Sequence, residues 1–196
     1  LMMHDEIIYQ LDFYKEYGEF ECINVIGLCG NHGRQTKRPM VARHVITSYE
    51  ALTHKLLQKY YYSDDVINYY VADDSQYQFN AQGIDFEAEH GNLIRGGNGY
   101  GGISSAMNIH LGKKRKARKK NFTNLNGHFH QHIVHIPDKY IMFNAGCGWT
   151  TYGKNIVKAP YTSPSQGLLF VEDGRIVDVT EIFCECSNEK ELWNEV

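Results

Sequence analysis

Residues 22–33 read Cys22-Ile23-Asn24-Val25-Ile26-Gly27-Leu28-Cys29-Gly30-Asn31-His32-Gly33, and the fold is decided here. The first seven are short, apolar and rich in β-formers, the pattern of a buried strand. The run stops at Gly30-Asn31, where a turn sets an amide and an imidazole side by side.

Outward from this stretch the chain alternates helices and strands. Upstream, Glu6 to Tyr17 reads as a helix, with Ile7, Leu11 and Tyr14 on one face and Gly18 at the cap position. Downstream, Thr47 to Tyr62 is the clearest helix. Thr47 and Glu50 have the spacing of a capping box, and Tyr49, Leu52, Leu56 and Tyr60 form one apolar stripe. Val66 to Ala72 reads as a strand. Ile84 to Ala88 is another, with Ile84, Phe86 and Ala88 on one side, and it ends at His90-Gly91. A glycine-rich loop over Gly96 to Gly102 and a basic run follow. Then come short strands around Ile133 and from Tyr140 to Phe143, and a hairpin of Leu168–Val171 and Arg175–Val179 turning at Asp173-Gly174. With no repeat and no linker, this is one α/β domain over residues 1–196.

Three histidine-bearing turns each sit just past a strand or its loop: Gly30-Asn31-His32-Gly33, Glu89-His90-Gly91 and Gly127-His128-Phe129-His130. In α/β sheets, ligand sites gather beyond the carboxyl ends of strands, so distant residues can converge there. Imidazole nitrogens and an amide oxygen suit divalent Zn, Mn, Fe or Ni. His128, His130 and His132 alternate, so an extended backbone would set all three on one side. His132 and His135 also read simply as surface histidines. Cys29 reads as a packed strand-end residue rather than a nucleophile.

The composition bounds the function. The 196 residues are long enough for a real core, 42% apolar, 13% aromatic and contain only 4 Pro. A net charge of −3 excludes global attraction to nucleic acid or membrane. The local exception is Lys113–Lys120 (KKRKARKK), read either as a solvated loop or as a contact to a phosphate backbone. Five scattered Cys and no visible signal peptide favour a reduced, cytoplasmic protein, and no apolar run approaches the ~20 residues of a bilayer span. Cys184-x-Cys186 lacks the second pair of a zinc knuckle.

Gly-Asn-His after one strand, His-Gly after a second and Gly-His-x-His after a third together resemble the calcineurin-like metallophosphoesterase family, over about Ile23 to Val179. Asn144-Ala145-Gly146-Cys147 is similar to the Asn-Pro-Gly-Ser turn that follows the family's last histidine motif. The sequence looks closest to phage-encoded members resembling DNA-repair exonucleases. The resemblance implies a metallophosphoesterase-type β-sandwich flanked by helices and two divalent ions. Asn31, His90 and His128 would ligate one ion and His130 the other. His32, beside the amide ligand, would stabilise the transition state or protonate the leaving oxygen. Arg34 would steady a phosphate oxygen, and Lys113, Lys114 and Arg115 would hold substrate. Two ions sharing a hydroxide polarise the phosphoryl group for in-line attack.

The match breaks upstream. The family also has Asp-x-His and Gly-Asp-x-x-Asp-like motifs, and neither Asp-x-His nor Gly-Asp occurs in this chain. The chain opens on Leu1, with Met2 and Met3 following, so the expectation is a domain lacking its first strands, its site incomplete and nearly inactive alone. A phosphoesterase acting on DNA or RNA is the first reading, and a small-molecule phosphodiesterase or phosphatase fits the same residues. A non-catalytic nucleic-acid- or metal-binding module is the contrasting reading. A homo-oligomer or a complementing N-terminal fragment are the protein partners expected.

Overall fold

The computed structural model describes residues 2–36, 47–95, 102–135, 139–146 and 163–184. The elements run α1 (Met2–Tyr17), β1 (Ile23–Gly27), α2 (Tyr49–Tyr60), β2 (Ile67–Val71), β3 (Gln76–Ala81), β4 (Ile84–Glu89), α3 (Gly102–Arg118), β5 (Thr123–Asn126), β6 (Ile133–His135), β7 (Tyr140–Met142), β8 (Ser165–Glu172) and β9 (Arg175–Phe183). The class is α/β. Among the described residues the strands form a parallel pair β1-β2, a mixed sheet in the order β3-β4-β5-β7-β6, and an antiparallel pair β8-β9. Packing divides the chain into two compact units, Leu1–Gln78 with Glu87–Leu93, and Phe79–Phe86 with Ile94–Val196.

In the first unit, β1 and β2 run parallel, Ile23 opposite Ile67 through Gly27 opposite Val71, and α2 is the crossover that parallel strands require. Leu11, Leu57, Tyr61, Ile67 and Tyr69 are buried together, with Ile7, Ile8, Ile23, Val25 and Val71 packed on them. Asp64 starts β2 by accepting the Val66 and Ile67 N–H groups at 2.9 and 2.8 Å, while Lys15 reaches it from α1 at 2.6 Å. α1 begins earlier than expected. Its end is closed by Gly18 N–H donating to Tyr14 O at 2.9 Å, but the left-handed residue is Glu19 (φ 51°), one place past the glycine.

One expectation for α2 is corrected, and the side its stripe faces is settled. Helix and cap fall one residue later than a capping box at Thr47 requires: Ser48 is the N-cap, its hydroxyl accepting Glu50 N–H at 3.1 Å. The stripe of Tyr49, Leu52, Leu56 and Tyr60 faces outward, 47–63% exposed, while Ala51, Leu57 and the following Tyr61 are buried. Helical periodicity tells which residues share a face and leaves open which face meets the core.

In the second unit, Ile94, Ala106, Met107, Leu111, Phe122, Tyr140 and Met142 form the core. The basic run, expected as a loop, is the second half of α3. Arg115, Lys116 and Arg118 in its last turn complement the negative end of the helix dipole, and Lys119 (φ 53°) terminates it. β5 is a polar strand whose Asn124 and Asn126 are buried, Asn126 Nδ2 donating to Asn124 Oδ1 at 2.8 Å. Two-residue turns at Gln82-Gly83 (φ 50° and 85°) and Asp173-Gly174 (φ 45° and 74°) have the doubly left-handed form that suits twisted hairpins. The two tips lie close together: a methyl on Gly83 would lie 3.8 Å from Gly174 Cα, and one on Gly174 3.7 Å from Gln82 O.

Candidate functional site

The strongest constellation lies at the carboxyl end of β1. His90 Nε2 and Asn31 Oδ1 stand 2.9 Å apart, joining residues separated by 59 positions. The glycines explain how close the backbone comes. A side chain on Gly30 would press on the His90 ring at 3.1 Å, and one on Gly33 would collide with Glu50 Cγ at 2.5 Å.

Glu50 holds this turn. One carboxylate oxygen accepts the Gly30 N–H, and the other accepts the Gly33 N–H at 3.0 Å, so the carboxylate bridges the two ends of Gly30–Gly33. The N-terminus of α2 adds Tyr49 N–H to Gly33 O at 2.8 Å, with Gln35 N–H to Thr47 O at 2.9 Å alongside. Asn31 and His32 are therefore displayed on a backbone fixed at both ends. The sequence offered a local explanation for Glu50, a cap three residues from Thr47, and the bond spanning 20 positions went unseen.

The other expected residues fall as follows. His32 is exposed on the same turn. Arg34 folds back, its Nη1 donating to the Asn31 carbonyl at 2.5 Å, so its observed role is to brace the turn. Cys29 is buried at 3% exposure, and burial pushes its thiol up from the usual range, in keeping with a packed strand-end residue. Beside it, His54 covers Gly27, its Nδ1 lies 2.8 Å from the Tyr69 hydroxyl, and burial pushes its pKa down.

His128 and His130 belong to the second unit. The extended backbone expected to align them with His132 is not found. β5 ends at Asn126, and both His128 (φ 69°) and His130 (φ 53°) are left-handed, with Phe129 N–H donating to Gly127 O at 2.8 Å. Non-glycine residues adopt this conformation only where their surroundings enforce it. His132 instead approaches Glu181 Oε1 at 3.9 Å, and His135 stacks on Tyr140 at 5.0 Å, so neither is a bare surface histidine. Asn144 closes its own turn through Ala145 N–H and donates to Ser163 O at 2.7 Å. The Gly96–Gly101 part of the glycine loop, Cys147 and Cys186 lie outside the described residues.

In the basic segment, Lys113 and Lys116 are exposed, whereas Arg115 is half-buried. Arg115 donates to Phe122 O at 3.2 Å and Lys139 O at 3.4 Å, and with Arg118 it flanks the Phe122 ring at 5.6 Å. Lys120 pairs with Asp85 at 2.9 Å.

The Asn31 oxygen and His90 Nε2 form a donor pair suited to one divalent ion, which would replace the hydrogen bond now joining them. Among the described residues, no group of three or more His, Cys, Asp or Glu side chains gathers at a common point. No described helix is long and apolar enough to cross a membrane.

No family model and no curated protein matches this chain. Solved structures similar to it are of Vps29. Wild-type Vps29 from Entamoeba histolytica, complexed with zinc, is 12% identical, with 87% of this chain and 86% of that chain covered and a TM-score of 0.46. A single mutant of the same Entamoeba protein is 12% identical over 84% of this chain and 99% of that chain, with a TM-score of 0.41. Vacuolar Protein Sorting 29 from Cryptosporidium parvum is 11% identical over 83% and 97%, with a TM-score of 0.39. Vps29 has the calcineurin-like metallophosphoesterase fold. At such identities and TM-scores the likeness carries no argument for the activity, metal or partners of this chain.

Proposed function

We propose that the chain works in the cytoplasm as one metallophosphoesterase domain, serving metal-dependent hydrolysis of phosphate esters, with DNA or RNA as the substrate class. The observation that carries this reading is the 2.9 Å approach of Asn31 and His90 on a turn clamped by Glu50. Asn31 and His90 would hold a divalent ion, which supplies a polarised phosphoryl oxygen and a water of lowered pKa. Glu50 fixes the turn, so Asn31 does not have to be ordered when the ion arrives. His32, exposed beside Asn31, is assigned proton delivery to the leaving oxygen. His128 and His130 are assigned to a two-ion set of Mn, Zn, Fe or Ni on the motif resemblance alone. The exposed cations of α3, Lys113 among them, support a polyanionic substrate.

The missing Asp-x-His carboxylate argues for low turnover by this chain alone. A non-catalytic, metal-binding module is therefore the second reading, favoured by the two-donor count among described residues. Titration with manganese and turnover of bis-p-nitrophenyl phosphate separate the two. The Asn31→Ala and His90→Ala chains are expected to bind the ion at least roughly tenfold more weakly. His32→Ala should abolish residual turnover while keeping metal content. Unchanged ion binding in Asn31→Ala and His90→Ala would overturn the site. Ion binding without any His32-dependent turnover would establish the second reading.

A further inference from the structure

The outward face of the first unit is a pair of apolar helix stripes of opposite charge. On α1, Tyr9, Phe13 and Tyr17 recur every four residues on the side away from buried Leu11, 49–68% exposed, with Phe13 and Tyr17 in ring contact at 4.9 Å. The charged neighbours on that face are acidic, Asp5, Glu6 and Glu16, all exposed, with Gln10 donating to Glu6. On α2, Tyr49, Leu52, Leu56 and Tyr60 lie away from the side between buried Ala51 and Leu57, and the exposed charges bordering them are Lys55 and Lys59.

A helix that buried only one face in the monomer would normally keep the other polar. Here both helices are apolar on two sides. The seven exposed side chains present on the order of 800 Å², about the share that one partner gives to an interface of standard size. Aromatic residues lead this set, as they do in protein interfaces.

From this complementarity we infer that α1 and α2 form a docking surface for a second copy of this chain. The acidic aromatic stripe of α1 in one copy packs on the basic stripe of α2 in the other, and the reverse holds across a two-fold axis. Such a pairing uses each stripe once per copy and closes on itself, so it gives a dimer rather than a filament. Like stripes facing each other would set Lys55 and Lys59 against their own copies, a repulsion that selects the crossed arrangement.

Sedimentation of the full 196-residue chain across a concentration series tests it. The wild type should be dimeric, and Leu52→Glu with Leu56→Glu should be monomeric with an unchanged circular dichroism spectrum. Reversing α1 (Glu6→Lys, Glu16→Lys) or α2 (Lys55→Glu, Lys59→Glu) should weaken association roughly tenfold, and carrying both reversals in one chain should restore it. An equimolar mixture of wild type with the doubly reversed chain should give only the two homodimers. A monomeric wild type would overturn the inference. So would a dimer that ignores the glutamate pair, or one that the double reversal fails to restore.

Discussion

The turns at Asn31 and at His128 carry equivalent motifs, a glycine followed by metal-ligand chemistry, yet they are built differently. The first is held from outside, by Glu50 on two backbone N–H groups, by Arg34 on the Asn31 carbonyl and by the start of α2. In the second, the observed backbone device is left-handed conformation at His128 and His130 with a tight Phe129-to-Gly127 bond. An external clamp fixes side chains before any ligand arrives. A strained turn stores conformational energy that a ligand can use or release. The Asn31 turn is thus the pre-organised one of the two.

The sharpest way to break this contrast is Glu50→Ala. Two half-buried N–H groups would lose a charged acceptor, an expected cost of about 2–3 kcal/mol in urea unfolding, together with weaker manganese binding. A loss below about 0.5 kcal/mol would mean that the turn holds itself. Glu50→Gln should recover part of both, since the amide oxygen can still accept one N–H.

Packing in the second unit gives the next effect. A Cβ at Gly167 would overlap Phe143 Cδ1 at 1.7 Å, so Gly167→Ala should cost about 1–3 kcal/mol by forcing that ring to move. Arg115→Ala should follow at about 1–2 kcal/mol, because it removes bonds to two carbonyls and a contact with Phe122. Lys113→Ala, exposed on the same helix, should change stability by no more than about 0.5 kcal/mol while lowering salt-dependent affinity for DNA. Equal stability losses for Arg115 and Lys113 would erase the division between bracing and solvated cations.

Acid separates two groups of the first unit. Burial holds the His54 pKa below its ordinary 6.5, so the unfolded chain takes up the proton first and stability falls as pH drops below about 6.5. His54→Gln should flatten that slope in pH-dependent melting. Lys15 holds the Asp64 carboxyl below its ordinary 3.8, so its contribution is intact above that value and lost only in stronger acid. Asp64→Asn should therefore lower stability at neutral pH, by a margin that shrinks as acid carries the pH far enough below 3.8 to protonate wild-type Asp64 as well.

Much of this was legible in the amino-acid order, and the failures have physical reasons. α1, β1, β2, β4 and the final hairpin announce themselves by periodicity or by turn residues, and the Asn31–His90 meeting follows from two turns past two strands. β5 escaped notice because Thr-Asn-Leu-Asn has no apolar alternation: its asparagines bond each other in the interior. α3 was hidden by a glycine-rich start and a charge run, and its burial depends on Met107 and Leu111 meeting residues far along the chain. The stripe on α2 is plain in the sequence, but the side it faces is not, since Leu57 and Tyr61 have the same periodicity. The histidines after Gly127 alternate in sequence as a strand would, and two left-handed residues break that register.

The neighbouring tips at Gly83 and Gly174 bear on how the molecule can be re-engineered. Hairpin ends are ordinarily the first choice for grafting a peptide or opening new termini. Here a methyl added to either glycine would just meet the opposite tip, so a graft on one loop has to grow away from the other.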